Sequence, residues 1–397
     1  MLSTYRRLFT VPGARAFTSA GFVMRMPISM IGLGCVLLIT RTGGSYGLAG
    51  AVSATFWLVC SVATPLLGRL ADRRGQASVL AGTAVLETAA ILALVGAVHW
   101  HAPTWMLFVS AAAIGAGYVS VGNLIRARWS HATTGTGLGD TAHSWESVLD
   151  EIIFIAGPVL VTLLCTRVAP AAGLLVTALL GVLGALWLVP QRASEPPRLA
   201  ASQHRARSAI RWPVVRALAL AWLGIGGLFG SLEVAVVAYT AERGQAGLAG
   251  VVLGVFAMGS MIAGLVYGAA QIRMPLAHRM AVGTAVLTAV VATFTLLPNT
   301  WALAVGMFAA GLTVAPSLIS GFALADASVP AAERTEALSW LTTGLGIGTS
   351  AAATVVGRVI DAHGARAGFL VPLACGLFAV VLSAGIAVRT RPVPVAA

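Results

Sequence analysis

Lysine is missing altogether, and charge of either sign is scarce. Among 397 residues the 25 basic side chains are all arginine, 13 are acidic, and charged residues make up 10% of the chain, against about 25% in an ordinary soluble domain. A chemistry built on a Schiff-base lysine is therefore excluded. Cysteine is also rare: Cys35, Cys60, Cys165 and Cys375 each lie inside an apolar run, with no metal-ligand spacing and no paired framework. They read as packing residues, and neither a metal nor a cofactor is expected. No Walker motif is visible; GLGIGTS at 344–350 imitates a nucleotide loop but has no preceding strand and lies in an apolar stretch, where tight packing of small residues explains it better. No nucleophile with a neighbouring base can be picked out, and no soluble module is present, which argues against an enzyme or a receptor. The net charge of +12 would suit nucleic acid only if the arginines formed a patch on a folded face. They sit instead in short connections, so nucleic acid is not an expected partner.

What the chain has in abundance is apolar length. Hydrophobic residues are 58% of it, and runs of about 20, enough to cross roughly 30 Å of hydrocarbon, recur from end to end. Spans are expected at 14–40, 46–68, 77–98, 103–125, 143–167 and 168–190, then at 213–240, 246–270, 278–298, 301–324, 335–360 and 366–388. The first is too long for a signal-peptide core and has no convincing cleavage site, so it should remain as a membrane helix. This is an all-α integral membrane protein with twelve expected helices in two sets of six, residues 1–190 and 213–397. Between them QRASEPPRLAASQHRARSAIR, the one long polar stretch, reads as a flexible linker over 191–212.

Nineteen arginines fall on the side shared by the termini and the linker, and five, Arg41, Arg167, Arg243, Arg358 and Arg366, on the other. That bias puts both termini and the linker in the cytoplasm, in a plasma or inner membrane. His99 and His101, flanking Trp100 in an outer connection, read as an interfacial anchor, not a metal site.

The halves echo each other. GLAGAVSATF from Gly47 and GLAGVVLGVF from Gly247 share six of ten residues at an offset of 200, with Gly68 and Gly268 in the same register, and DTAHSW at 140–145 is echoed by TEALSW at 335–340. Parallel repeats of this kind imply a pseudo-two-fold axis along the membrane normal and one half rocking against the other around a central cavity.

The connection after the second span, GRLADRRGQASVL from Gly68, resembles the signature loop of the major facilitator superfamily. Gly68, Leu70, Asp72, Arg73 and Gly75 match, while Gln76 and Ala77 stand where the pattern has a basic pair. The resemblance implies a transporter fold over the whole chain and a role for this loop in holding the cytoplasmic gate, with Asp72 and its arginines bridging to a helix end of the other half. The corresponding loop of the second half, GLVYGAAQIRMP, keeps Gly268 and Arg273 but has no acid. Within the family, FIAGPVLVT resembles the fifth-span motif of bacterial drug/proton antiporters at Gly157 and Pro158, without the trailing glycines. The fourth-span arginine of those exporters is replaced by Ala111, ahead of Gly115 and Gly117, which counts against simple drug/proton antiport.

Charges inside the spans are the candidate functional residues, since each costs about 2.5–3.5 kcal/mol at the bilayer centre unless paired or placed at an interface. Arg25 lies some ten residues into the first span, before Pro27. It is an anion anchor, a partner for a proton-carrying carboxylate, or half of a structural ion pair. In HSWESVLDEIIFIAGP, His143, Glu146 and Asp150 fall on one stripe, and Glu151 points about 100° away. The family architecture implies that spans one and five are neighbours, so that Arg25 could meet Glu146 or Asp150; alternatively these acids lie at a helix end and pair with Arg126 and Arg128. Glu233 is the one acid well inside the second half's apolar core. Glu87 reads as a structural acid in a third span facing away from the cavity.

The expected function is secondary active transport, with proton-coupled export of a small organic compound by rocker-switch alternating access. Uptake of a small solute, anionic if Arg25 binds it, is the alternative. The expected partners are the substrate, protons and the lipid bilayer, and the expected state is a monomer.

Overall fold

The computed structural model describes residues 7–136, 138–197, 208–269, 274–330 and 333–389, and every regular element among them is helical. In chain order these are α1 (Ala14–Arg41), α2 (Tyr46–Arg74), α3 (Gln76–His99), α4 (Thr104–Gly117), α5 (Val121–Ala132), α6 (Gly139–Arg167), α7 (Ala172–Leu188), α8 (Pro213–Glu242), α9 (Ala249–Ala269), α10 (Leu276–Ala292), α11 (Thr300–Ala327), α12 (Arg334–His363), α13 (Ala365–Gly368) and α14 (Leu370–Arg389). Among the described residues, eleven helical stretches are long and apolar enough to cross a membrane, with α4 and α5 counted as one and α13 with α14 as another. The helix α7 is as apolar but shorter, at 17 residues, about 26 Å at 1.5 Å per residue. The chain is a multi-pass membrane protein. Its exterior fits that solvent: Leu66, Val85, Leu186, Val305 and Val381 are exposed where a soluble fold would place polar groups.

Two departures from the expected spans matter for the site. The fourth does not run unbroken through 103–125: Tyr118, Val119 and Ser120 leave the helix between α4 and α5. Gly115 and Gly117 precede the break because α2 and α3 pass too close for a side chain. A Cβ on Gly115 would meet the Phe56 carbonyl, and one on Gly117 the backbone of Glu87. Glycine bought for close approach is poor helix former, and the helix gives way just after it.

The linker is the second departure. Arg128 donates to the Gln191 carbonyl at 2.9 Å and to Ser194 Oγ at 2.7 Å, and Glu195 accepts from the Ala77 amide at the start of α3. At its other end Ser208 donates to Glu336, while Arg211 and Trp212 donate to the two oxygens of Glu333. Both ends are therefore tied down, each to the helices on its own side. Residues 198–207, in the middle, lie outside the described residues, as does Arg273.

Contact between residues 14–188 and residues 213–389 is carried mainly by two helix pairs, α2 with α12 and α6 with α9. The sequence echo explains the symmetry. Gly50 of α2 lies against the Ala353 carbonyl of α12, and Gly250 of α9, two hundred residues on, lies against the Pro158 carbonyl of α6. In each seam a missing Cβ lets backbone touch backbone, the mode of packing that works where lipid provides no hydrophobic drive. Both contacts fall at the arginine-poor end of the molecule. Toward the arginine-rich end the pairs diverge, and a cavity of about 730 Å³ opens between them.

Candidate functional site

The cavity is lined from both sides. Trp57, Ser61, Thr64 and Gly68 come from α2, Asn123 from α5, Glu151, Phe154 and Pro158 from α6, Phe229 and Glu233 from α8, Phe256 and Ser260 from α9, and Ser339, Thr342 and Thr349 from α12. At its closed end Gly32 of α1 leaves a gap into which two groups point. A Cβ placed there would stand 3.0 Å from Trp57 Nε1 and 3.1 Å from Glu233 Oε1. The indole N–H has no hydrogen-bond partner among the described residues, and Glu233 forms no ion pair with them. A carboxylate and a free donor thus meet at the bottom of an open cavity, an arrangement packing alone would not retain, because unsatisfied buried polar groups are costly.

A second polar cluster lies outside the cavity lining. Arg25 reaches from α1 to α6, donating from Nη2 to Glu146 at 2.5 Å and from Nη1 to Asp150 at 2.8 Å, with Nε turned back to the Gly21 carbonyl at 3.2 Å. Trp129 Nε1 donates to the other oxygen of Glu146 at 2.7 Å, and Arg126 binds the other oxygen of Asp150. Glu146 is fully buried and Arg25 is 4% exposed. The i, i+4 spacing of Glu146 and Asp150 presents both carboxylates to one guanidinium. Two arginines against two acids leave the cluster neutral. Of the two arginines named as possible partners of these acids, only Arg126 serves. Arg128 is held elsewhere, with Gln76 Oε1 accepting from its Nε at 2.8 Å. Gln76, where the signature pattern has a basic residue, also donates to the Leu124 carbonyl and so fastens the start of α3 to α5. His143 is exposed, beside Ser130.

Of the predicted site residues, then, Arg25, Glu146 and Asp150 come together in one network, while Glu233 stands apart in the cavity wall. Glu151 is outside the predicted set, yet its direction, about a third of a turn off the stripe, is the one that faces the cavity. Glu87 does not line this space. Its Oε1 is buried without a hydrogen-bond partner among the described residues, next to Tyr118 at the break in the fourth span.

The residues of the expected gating motif are split between two situations. Gly75 ends α2 at φ 95°, a left-handed geometry that favours glycine. Asp72 is exposed, no hydrogen bond or ion pair with another described residue reaches it, and a Cβ on Gly68 would meet nothing within 4 Å. The expected bridge from Asp72 to the other half is not made among the described residues. Gly157 and Pro158 sit where α6 crosses its neighbours: a Cβ on Gly157 would strike Ser29 of α1, and the Pro158 carbonyl faces Gly250.

At the opposite end stands a feature the sequence holds in plain view. Gly-Arg-x-x-Asp-x-x-Gly occurs at 68–75 and again at 357–364. The second copy ends α12 as the first ends α2, with Gly364 at φ 83°, but on the arginine-poor side. There it is engaged: Asp361 accepts from the amides of Tyr46 and Gly47 at 2.9 and 2.6 Å, capping the first turn of α2 across the seam. A carboxylate at a helix N-terminus satisfies orphan donors and the helix dipole together.

A cavity between two helix assemblies, sealed at one end by symmetric seams and open at the other, defines a membrane transporter, not an enzyme. The chain belongs to the Major Facilitator Superfamily, whose sequence pattern matches residues 17–244 and 229–397. No curated relative matches the sequence at a significant level. Among solved structures, the nucleoside transporter NupG in a D323A mutant form is similar, with a TM-score of 0.74 at 16% identity over 95% of this chain and 99% of its own. A peptide transporter POT in complex with sulfate gives 0.72 at 14% identity over 95% and 94%. A bacterial homologue of the iron transporter ferroportin, in an inward-facing state, gives 0.69 at 16% over 94% and 99%. At these identities the likeness is one of fold.

Proposed function

We propose that this chain is a proton-coupled exporter of a small organic compound, working by alternating access. In this reading twelve spans, with α7 among them, form two six-helix halves, residues 1–190 and 213–397, joined by the linker at 191–212. Both termini lie in the cytoplasm, so the cavity opens inward, and the protein acts as a monomer in the plasma or inner membrane. The observation that carries the reading is Glu233 in the wall of a cavity that lies between the two helix assemblies, which meet mainly in a pair of glycine-backed seams. A carboxylate there can trade a proton for substrate as the halves rock.

Arg25, Glu146 and Asp150 are the second element of the coupling: an ion network between α1 and α6 whose pairing can change as those helices shift. Gly68, Asp72, Arg73 and Gly75 close the inner end in the opposite state, and Gly157 and Pro158 keep α6 in close contact on both sides. In the uptake alternative, a solute that is anionic would need Arg25 as its anchor. The Arg25 guanidinium is already committed to Glu146 and Asp150 and is absent from the cavity lining, which counts against an anion anchor there.

The test is substrate-induced proton flux in proteoliposomes. Glu233→Gln is expected to abolish it, with Asp150→Asn and Glu146→Gln each reducing it. Unchanged flux in all three variants would sink the coupling assignment. Direction follows from accumulation in cells, which an exporter lowers and an importer raises.

A further inference from the structure

We propose that the cavity receives an organic cation with an apolar body, held by Glu233 and Glu151. The inference rests on the reading above that the cavity is the substrate path, and it names the chemistry of what travels there.

The charge around the cavity is one-sided. Among the described lining residues the only formal charges are the carboxylates of Glu151 and Glu233; no arginine or histidine contributes. Neither acid has an ion-pair partner among the described residues. The nearby positive groups are spent on other acids, Arg25 on Glu146 and Asp150, and Arg126 on Asp150. An anion entering this space would meet two uncompensated carboxylates and no counter-charge, whereas a cation would complete pairs the protein leaves open.

Four hydroxyls of the lining add to the same field. The hydroxyls of Ser61, Thr342, Thr343 and Thr349 all donate to carbonyls of their own helices, at 2.7–2.9 Å. What each has left for the cavity is an oxygen lone pair, since a hydroxyl carries one donor and two acceptor sites. Lone pairs lining a wall favour a positive guest just as carboxylates do.

The apolar wall says what the rest of the guest is. Trp57, Phe154, Phe229 and Phe256 line the cavity, with Phe229 and Phe256 packed edge to face at 6.0 Å. Aromatic faces attract cations and bury hydrocarbon, and Trp57 stands beside Glu233 at the gap over Gly32. A volume of about 730 Å³ lies within the range of roughly 300–1,000 Å³ found for small-molecule sites.

The experiment uses the purified full-length protein and three probes of related shape: tetraphenylphosphonium, tetraphenylborate, which reverses the charge, and neutral triphenylphosphine oxide. Tetraphenylphosphonium is expected to bind saturably and raise the melting temperature, with affinity falling at least tenfold in Glu233→Gln and in Glu151→Gln. Melting of the ligand-free variants within a few degrees of the parent shows that they fold. Binding of the borate or the oxide as tightly as the phosphonium overturns the proposal. So does absence of saturable phosphonium binding, or unchanged binding in the double variant. Failure of this inference is separable from failure of the transport reading. Proton flux driven by a neutral or anionic compound would overturn the cation and leave coupled transport standing; saturable phosphonium binding without flux would do the reverse.

Discussion

Arg25 is where sequence and structure can be weighed most closely at the scale of the residue. Removing it leaves Glu146, fully buried, without its cation, and breaking a buried pair by removing one partner costs about 3–5 kcal/mol. Arg25→Met is therefore expected to lower the melting temperature of the detergent-solubilised protein clearly, and Arg25→Met combined with Glu146→Gln to recover part of the loss. If the single variant melts like the parent yet fails to transport, the network is functional without being structural. The sequence says that a lone arginine and an i, i+4 acid pair in apolar runs need partners; that Arg25 could meet Glu146 and Asp150 follows only from the family resemblance, which implies that spans one and five are neighbours. Glu151 and Trp57 are not legible as site residues. Periodicity says that Glu151 leaves the stripe, but only the packing of α6 against α9 says that the direction it takes is a cavity, and a tryptophan in an apolar helix has no sequence feature that separates wall from core.

At the scale of the element, the spans are readable from apolar length, and their failures have local causes. The fourth breaks after two glycines demanded by neighbouring helices, a tertiary requirement that hydropathy does not carry. The repeat at Gly47 and Gly247 is readable too, though its meaning, two carbonyl-on-glycine seams, is visible only in the fold. That meaning can be tested. Gly50→Val and Gly250→Val each put side-chain atoms where a carbonyl of the facing helix stands, and overpacking of this kind typically costs about 1–3 kcal/mol. In a background free of the native cysteines, maleimide labelling of Ser53→Cys, which is buried in α2 near the seam, is expected to rise severalfold in both variants. Asp361→Asn is expected to raise it less, since it weakens two hydrogen bonds without inserting bulk. Labelling that stays at the parent level in Gly50→Val would mean that the seam is not the outer closure.

For the whole molecule, the anchored linker leads to a prediction that a slack tether would not. Residues 191–195 and 208–212 are each fastened to their own side by hydrogen bonds of their own. A protease site inserted after Ser202 should be cleavable with both fragments still co-eluting on gel filtration, held by α2 with α12 and α6 with α9. Fragments that separate would show that the covalent link is needed. The sequence reveals this segment's polarity but not its anchors, because Arg128, Glu333 and Glu336 are remote in the chain from what they hold.

The depth of the cavity also has an electrical side. Once filled with water in a bilayer, a cleft that reaches from the arginine-rich face to Glu233 conducts, so little of the membrane voltage falls along it. Most of the drop falls instead across the closed stretch beyond Glu233, which includes the seams where Gly50 meets Ala353 and Gly250 meets Pro158. A proton or cation resting at Glu233 then has nearly the whole field still ahead of it, about 2.3 kcal/mol per charge per 100 mV. The two glycine seams thus help keep that insulator free of water.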